Sequence, residues 1–366
     1  MDAAAGPPRF TVPALARFLL APDAGEQLSP VGGDGATGPA GLVLDLRAST
    51  EAEAADAHDV LADQLAILPC VTIAIESGVD SASLSALADA CDVRVASEGA
   101  LAPIEATLAR TPIAAVAYAQ LLRAAPRRSV YEGLVAESFV YSTLQAGAEF
   151  GAWLDARRKR RKQVRAEVDP PVRMDRVRDQ LEIHLTRAAK HNAFSRAMRD
   201  GLSEALQLAL ADPSIDEVIL SGEGPSFCSG GDLDEFGSFP DPAAAHAIRT
   251  TRSPALLLSR LADRVRVEVH GACIGAGVEL PAFTSRVIAD EDAFFQLPEV
   301  ALGLVPGAGG TASLPRRIGR QRTAWLGLSA ERIDARTALA WGLVDEVRLG
   351  QHSESASHDA NGERNR

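Results

Sequence analysis

Downstream of a break at Asp169-Pro170-Pro171, short β-branched runs alternate with helical stretches, and this alternation more than any other feature confines the chain to an α/β architecture. It predicts strands over 181–185, 217–221 and 265–270, helices over 195–211 and 243–262, and a buried helix from about Ala276. The same alternation is present upstream: a strand Leu42–Leu46, a helical stretch to about Leu68, a strand Val71–Ile75, then helices over 113–125 and 131–165. The proline pair marks the boundary between the halves, because a residue before proline is driven out of the helical region. Residues 1–40, rich in Ala, Gly and Pro, are expected to form a mobile leader with one short helix. The polar segment 349–366 is expected to be a disordered tail.

Composition narrows the function. With 366 residues, 46% hydrophobic and 23% charged, the chain is long enough for about two globular domains. A net charge of -12 argues against a nucleic-acid binder, since phosphate neutralisation needs a dominant basic surface and only residues 157–162 are strongly basic. That run reads as a solvated helix face or linker, with attraction of a ligand's phosphates as the alternative. Cys70, Cys91, Cys228 and Cys273 sit in apolar or glycine-rich surroundings with no CxxC spacing, so neither a metal site nor a disulfide framework is indicated, and a reducing cytoplasm fits best. Phe18-Leu19-Leu20-Ala21 is cut short by Pro22 and Asp23, so no secreted or membrane-spanning segment is expected.

The halves share a weak repeat of strand, glycine, small-residue helix and strand. The first copy runs Val71–Ile75, Gly78, Ser83–Ala90 and Arg94–Ala100; the second runs Val265–Val269, Gly271, Ala276–Phe283 and Val287–Ala293. Ala86 stands in the first copy where Glu279 stands in the second, and the first copy has no counterpart of the loop Phe227-Cys228-Ser229-Gly230-Gly231-Asp232-Leu233. Only the second copy retains chemistry.

That loop is one signal, because small residues after a strand let backbone N–H groups approach a ligand. A second is Gly271 through Leu280, where a small-residue run opens an apolar helix whose first N–H groups are free to hold an oxyanion. A third is the carboxylate pair Glu279 and Glu299. Glu279 lies among Val278, Leu280 and Phe283 and must be buried or face a cavity. Glu299 follows Pro298 and precedes the glycine-rich helix start Gly307-Ala308-Gly309-Gly310-Thr311. His270 reads as a packed residue, and Cys228 and Cys273 as small apolar fillers.

In their order and spacing, the Phe227–Leu233 loop, His270-Gly271 through Glu279-Leu280, Leu297-Pro298-Glu299, Gly303 through Thr311 and Gly342-Leu343-Val344-Asp345-Glu346-Val347 resemble the crotonase, or enoyl-CoA hydratase/isomerase, superfamily. The resemblance covers about residues 178–348 and includes Lys190-His191-Asn192-Ala193-Phe194, similar to the family's nucleotide-side loop. It implies a crotonase-like α/β fold of ββα spiral repeats over 175–348. It also makes 41–168 a degenerate crotonase-like unit. Carried over by position, the oxyanion hole comprises the N–H groups of Gly231 and Ala276, and the two hydratase glutamates are Glu279, acting on water, and Glu299, acting on the Cα proton. Ala193, Ser229, Asp232, Leu233 and Gly275 are the implied substrate-binding residues. Coenzyme A enters as part of the acyl-CoA thioester, with no other cofactor, and the family resemblance implies homotrimers or hexamers.

Two glutamates favour addition of water to a 2-enoyl-CoA. Double-bond isomerisation or thioester hydrolysis on the same oxyanion hole is the nearest alternative, and a noncatalytic acyl-CoA-binding scaffold is a third reading. Pro281 departs from the family's run and is expected to kink the helix and re-aim Glu279. The chain also stops early, while Tyr131–Ser138 and Tyr141–Phe150 resemble the missing C-terminal helices, so the first half is expected to cap the active half in the same or a neighbouring chain.

Overall fold

The computed structural model describes residues 6–33, 35–158, 170–238 and 241–349. They form two units that do not follow chain order. One comprises the described residues within Met1–Gln163, Phe236–Thr251 and Leu297–Glu331; the other comprises those within Val164–Glu235, Arg252–Gln296 and Arg332–Arg366. The sequence-based division into 41–168 and 175–348 therefore differs from these units, because 236–251 and 297–331 fold with the first half. Val300, Leu304, Val305, Ala324 and Leu328 explain the exchange: all are fully buried in one core with Val43, Ile73, Ile104 and Tyr118.

In the first unit, β1 (Arg9–Phe10), β2 (Gly41–Asp45), β3 (Val71–Ile75) and β4 (Val93–Val95) form a parallel sheet in the order β1-β2-β3-β4. Successive side chains point to opposite faces, so Leu42, Leu44 and Ala74 join one core and Val43, Ile73 and Ile75 the other. With both faces covered, β3 is buried at every position, which is why it reads as an unbroken apolar run. Helices Glu51–Ile67 and Val130–Gln145 each start at a capping box, Thr50 with Glu53 and Ser129 with Glu132.

The expected mobile leader is not what residues 6–33 form. β1 pairs with β2, and helices Val12–Phe18 and Ala24–Leu28 bury Val12, Leu15 and Leu28 in the sheet's core. A few well-spaced apolar residues outweigh the Ala-Gly-Pro composition. The long helix expected over 131–165 breaks at Ala146-Gly147 into Val130–Gln145 and Ala148–Arg158, and the rest of the basic run, 159–162, lies outside the described residues. The tail expected over 349–366 also lies outside them beyond Leu349. Helix 243–262 divides at Ser253-Pro254, where the serine caps a new start.

The second unit carries β5 (Val172–Val177), β6 (Gln180–Leu185), β7 (Glu217–Gly222), β8 (Val265–Val269), β9 (Ala272–Ile274), β10 (Arg286–Asp290), β11 (Phe294–Gln296), β12 (Ile333–Asp334) and β13 (Glu346–Arg348). Six strands run β13-β10-β8-β7-β6-β5, parallel except for the β5–β6 hairpin, and β12-β11-β9 form a small second sheet. Strands β6 and β8 alternate buried and half-buried positions, one face apolar and the other carrying Glu182, His184, Arg266 and Glu268. Helix Arg196–Ala211 packs on β5 and β6. The repeat's second copy differs from the first by the insertion of β9 between β8 and the helical turns, and β9 brings the small-residue run into the second sheet. Among the described residues no helix is long and apolar enough to cross a membrane.

Candidate active site

Three segments far apart in sequence are stitched together in the second unit. Phe194 N–H donates to Gly230 C=O (2.7 Å) and Asp232 N–H to Phe194 C=O (3.0 Å), while Ser229 N–H reaches His191 C=O (2.9 Å). Cys228 bridges Cys273: the Cys228 N–H donates to Ala272 C=O (3.2 Å) and Ile274 N–H returns to Cys228 C=O (2.9 Å). The approach is close enough to demand glycine at 277, where a Cβ would lie 2.3 Å from the Cys228 oxygen. Segments 190–194, 226–233 and 271–279, which carry all the sequence-predicted site residues except Glu299, thus meet.

Gly275 turns the chain with φ 51°, its N–H held by Gln296 C=O (3.0 Å), and a single helical turn Ala276–Glu279 follows. The buried helix expected from Ala276 is therefore one turn long. Pro281 cannot donate, so the turn ends at Leu280 and a 3-10 turn Pro281–Phe283 takes over. Glu279 is the last residue of that turn and is 2% exposed. Among the described residues, neither the Gly231 nor the Ala276 N–H is engaged in a hydrogen bond. Free donors beside a helix start can receive an oxygen that gains negative charge. Burial pushes the Cys228 thiol up to about 12, against the Gly230 N–H and with the Glu279 charge adding to the push, which makes it an inert filler. His270 is packed, its Nε2 within 2.8 Å of Gly224 C=O.

The sequence reading missed the anchor of this loop. Arg187 and Asp232 form a buried ion pair at 2.7 Å, their side chains 5% and 7% exposed, and Arg187 also donates to Ala193 C=O. Lys190 stands 3.5 Å from Asp232 and 3.3 Å from Asp234. Asn192, fully buried with φ 51°, donates to Glu223 and Ser226 carbonyls. Nothing local distinguishes Arg187 from the chain's surface arginines. Leu233, by contrast, is 36% exposed.

Burial opposes ionisation of Asp232, but the Arg187 hydrogen bond, the Asp234 N–H and Lys190 hold its carboxyl below the usual carboxylate range. A depressed folded value stabilises the fold above the unfolded value of about 4, and that contribution is lost as pH falls through the lower folded value. Asp232→Asn is therefore expected to lower Tm markedly at pH 7, since it strands Arg187 as a buried charge worth about 3–5 kcal/mol. The Tm gap to the unaltered protein should shrink steadily below about pH 4. Thermal unfolding of both proteins from pH 7 to pH 3 checks this, and a gap that does not change with pH would refute it.

Glu299 belongs to the other unit, in the segment Leu297–Glu331. It is half-buried, caps a 3-10 turn Val300–Leu302, and its C=O accepts from the N–H groups of Leu302 and Leu304, both at 3.0 Å.

Residues 179–354 match the family described as Enoyl-CoA hydratase/isomerase. The chain is 36% identical over 169 residues to 2,3-dehydroadipyl-CoA hydratase of Escherichia coli K12, covering 46% of this chain and 65% of that protein. It is 31% identical over 167 residues to the mitochondrial enoyl-CoA hydratase of Pongo abelii, covering 45% and 56%. The chain thus spans less than two thirds of the length of these curated relatives. The crystal structure of enoyl-CoA hydratase from Thermoplasma volcanium GSS1 is 31% identical, with 52% of this chain and 77% of that chain covered and a TM-score of 0.46. With the matched region spanning the stitched loops and both glutamates, the chain belongs to the enoyl-CoA hydratase/isomerase family and has its crotonase-like α/β fold.

Proposed function

We propose that the chain adds water across the double bond of a 2-enoyl-CoA thioester. The observation that carries the proposal is the pair of open N–H groups, Gly231 and Ala276, on loops fastened to one another, with Glu279 buried one turn beyond the second. The thioester oxygen accepts from both N–H groups as negative charge builds on it, and each such donor contributes roughly 3–4 kcal/mol to the transition state. This stabilises carbanion character at Cα and makes Cβ open to attack. Glu279 takes the proton of the attacking water, and Glu299 delivers a proton to Cα, so that the elements of water are added with no net redox change. Those roles rest on the match of the two positions to the family's pair. Ala193, Ser229, Asp232, Leu233 and Gly275 contact the thioester and its nucleotide end, coenzyme A enters with the substrate, and no separate cofactor takes part. The family pattern supports a homotrimer or hexamer, and four cysteines without paired spacing fit a reducing cytoplasm.

Loss of the enoyl absorbance across a panel of 2-enoyl-CoA chain lengths tests the reading. Water-dependent loss with 3-hydroxyacyl-CoA as product is the expected result. Movement of the double bond without hydration would replace the proposal with isomerisation, release of free coenzyme A would replace it with thioester hydrolysis, and binding without turnover would leave an acyl-CoA-binding scaffold.

A further inference from the structure

The segment 297–311 has little regular structure of its own, yet it carries Glu299. Its fixed points come from helices of the first half. Thr111 Oγ1, at the start of helix Pro112–Ala124, donates to Val300 C=O (2.8 Å). Tyr141 lies so close to Gly307 that a Cβ there would fall 2.5 Å from the ring. Glu137, 3% exposed on helix Val130–Gln145, accepts from Gly309 N–H (2.7 Å), Thr311 N–H (2.8 Å) and Thr311 Oγ1 (2.7 Å). Its carboxylate satisfies the first N–H groups of helix Gly310–Ile318, where a negative charge is favoured.

We infer that Glu137 is a positioning residue for Glu299. The inference rests on the reading of Glu299 as the Cα proton-transfer group. Thr111 fixes this stretch at Val300 and Glu137 fixes it at Gly309 and Thr311. Glu299 stands one residue before the first of these points, its C=O accepting from Leu302 and Leu304 inside the stretch, so the path of the stretch sets where its side chain leaves the backbone. A buried carboxylate is a costly choice where an apolar side chain would fill the space, and the three donors it accepts from are what retain it. Replacement by glutamine exchanges an acceptor oxygen for a donor NH2 facing backbone N–H groups. The turn then relaxes and the proton-transfer group is displaced.

The test uses the full chain. Absence of turnover by the unaltered protein on every 2-enoyl-CoA would overturn the reading of the reaction, and this inference with it. With turnover present, Glu137→Gln is expected to lower kcat per folded molecule about 100-fold at unchanged KM, the cost of misplacing a reacting group by on the order of 1 Å. Amide exchange at Gly309 and Thr311 should quicken while that of β6 and β7 stays unchanged, and Glu137→Asp, which keeps the charge, should recover part of the rate. Full kcat per folded molecule in Glu137→Gln overturns the inference and leaves the hydratase reading standing. Should that variant not fold, Thr111→Val removes the Val300 bond with little change of shape. A roughly tenfold loss of kcat at unchanged KM is expected there, and no loss overturns the inference.

Discussion

Removal of residues 1–165 is expected to leave a fragment that does not fold to a soluble, cooperative state. The reason lies in segment 297–331, which shares its core with the first half. Val300, Leu304, Val305 and Leu328 are fully buried among Ile104, Tyr118, Leu121 and Phe150, and would lose those neighbours together. At about 1.5–3 kcal/mol for each buried side chain, the loss is on the order of 6–12 kcal/mol, comparable with the whole stability of a domain. Hydrogen bonds go too: Tyr118 Oη donates to Thr323 C=O (2.7 Å), and Glu137 holds Gly309 and Thr311. The exposed apolar surface would drive aggregation. Expressing 166–366 alone, and again together with 1–165 as a separate chain, separates the causes. Insolubility alone with recovery on co-expression is the expected pattern. A soluble fragment with a sharp thermal transition and the full chain's rate would overturn the account of the first half as part of the fold.

The elements legible in the sequence are those whose signal is local. Val71–Ile75 forms a strand at the expected residues, and 217–221 and 195–211 are each met within a residue, because apolar period and bounding turn residues coincide there. The loop and helix start around Gly231 and Ala276 were legible because small residues at fixed order leave room for backbone donors. What the sequence hid is non-local. Thr111 and Val300 are 189 residues apart, and no pattern along the chain links them. Arg187 and Asp232 are likewise joined across 45 residues, each indistinguishable locally from a surface charge. Pro254 and Gly147 carried breaker signals, but the apolar periodicity on either side of each continues, which merged two helices into one reading. The leader shows the reverse error: composition suggested mobility, whereas burial of Val12, Leu15 and Leu28 decides the outcome.

Glu279→Gln is expected to reduce hydration about 10²–10⁴-fold while acyl-CoA binding stays within a few fold. The change preserves volume and removes only the capacity to take a proton, so the one-turn helix between Gly275 and Pro281 should persist. The fold gives that carboxylate a fixed place. Its backbone N–H is held by Gly275 C=O (2.9 Å), the turn cannot extend past Pro281, and the close contact of Gly277 with Cys228 fixes the turn against the loop bearing Gly231. A group so confined loses little entropy on reaching the transition state, which is how preorganised placement lowers a barrier. The variant also separates donor from base. With Gly231 and Ala276 untouched, charge can still build on the thioester oxygen, and slow exchange with solvent of the Cα proton of a saturated acyl-CoA, taken and returned by Glu299, should survive the loss of hydration. Measuring both in one preparation decides the matter: hydration and exchange lost together would place Glu279 at Cα rather than at water, and hydration retained in full would remove it from the reaction.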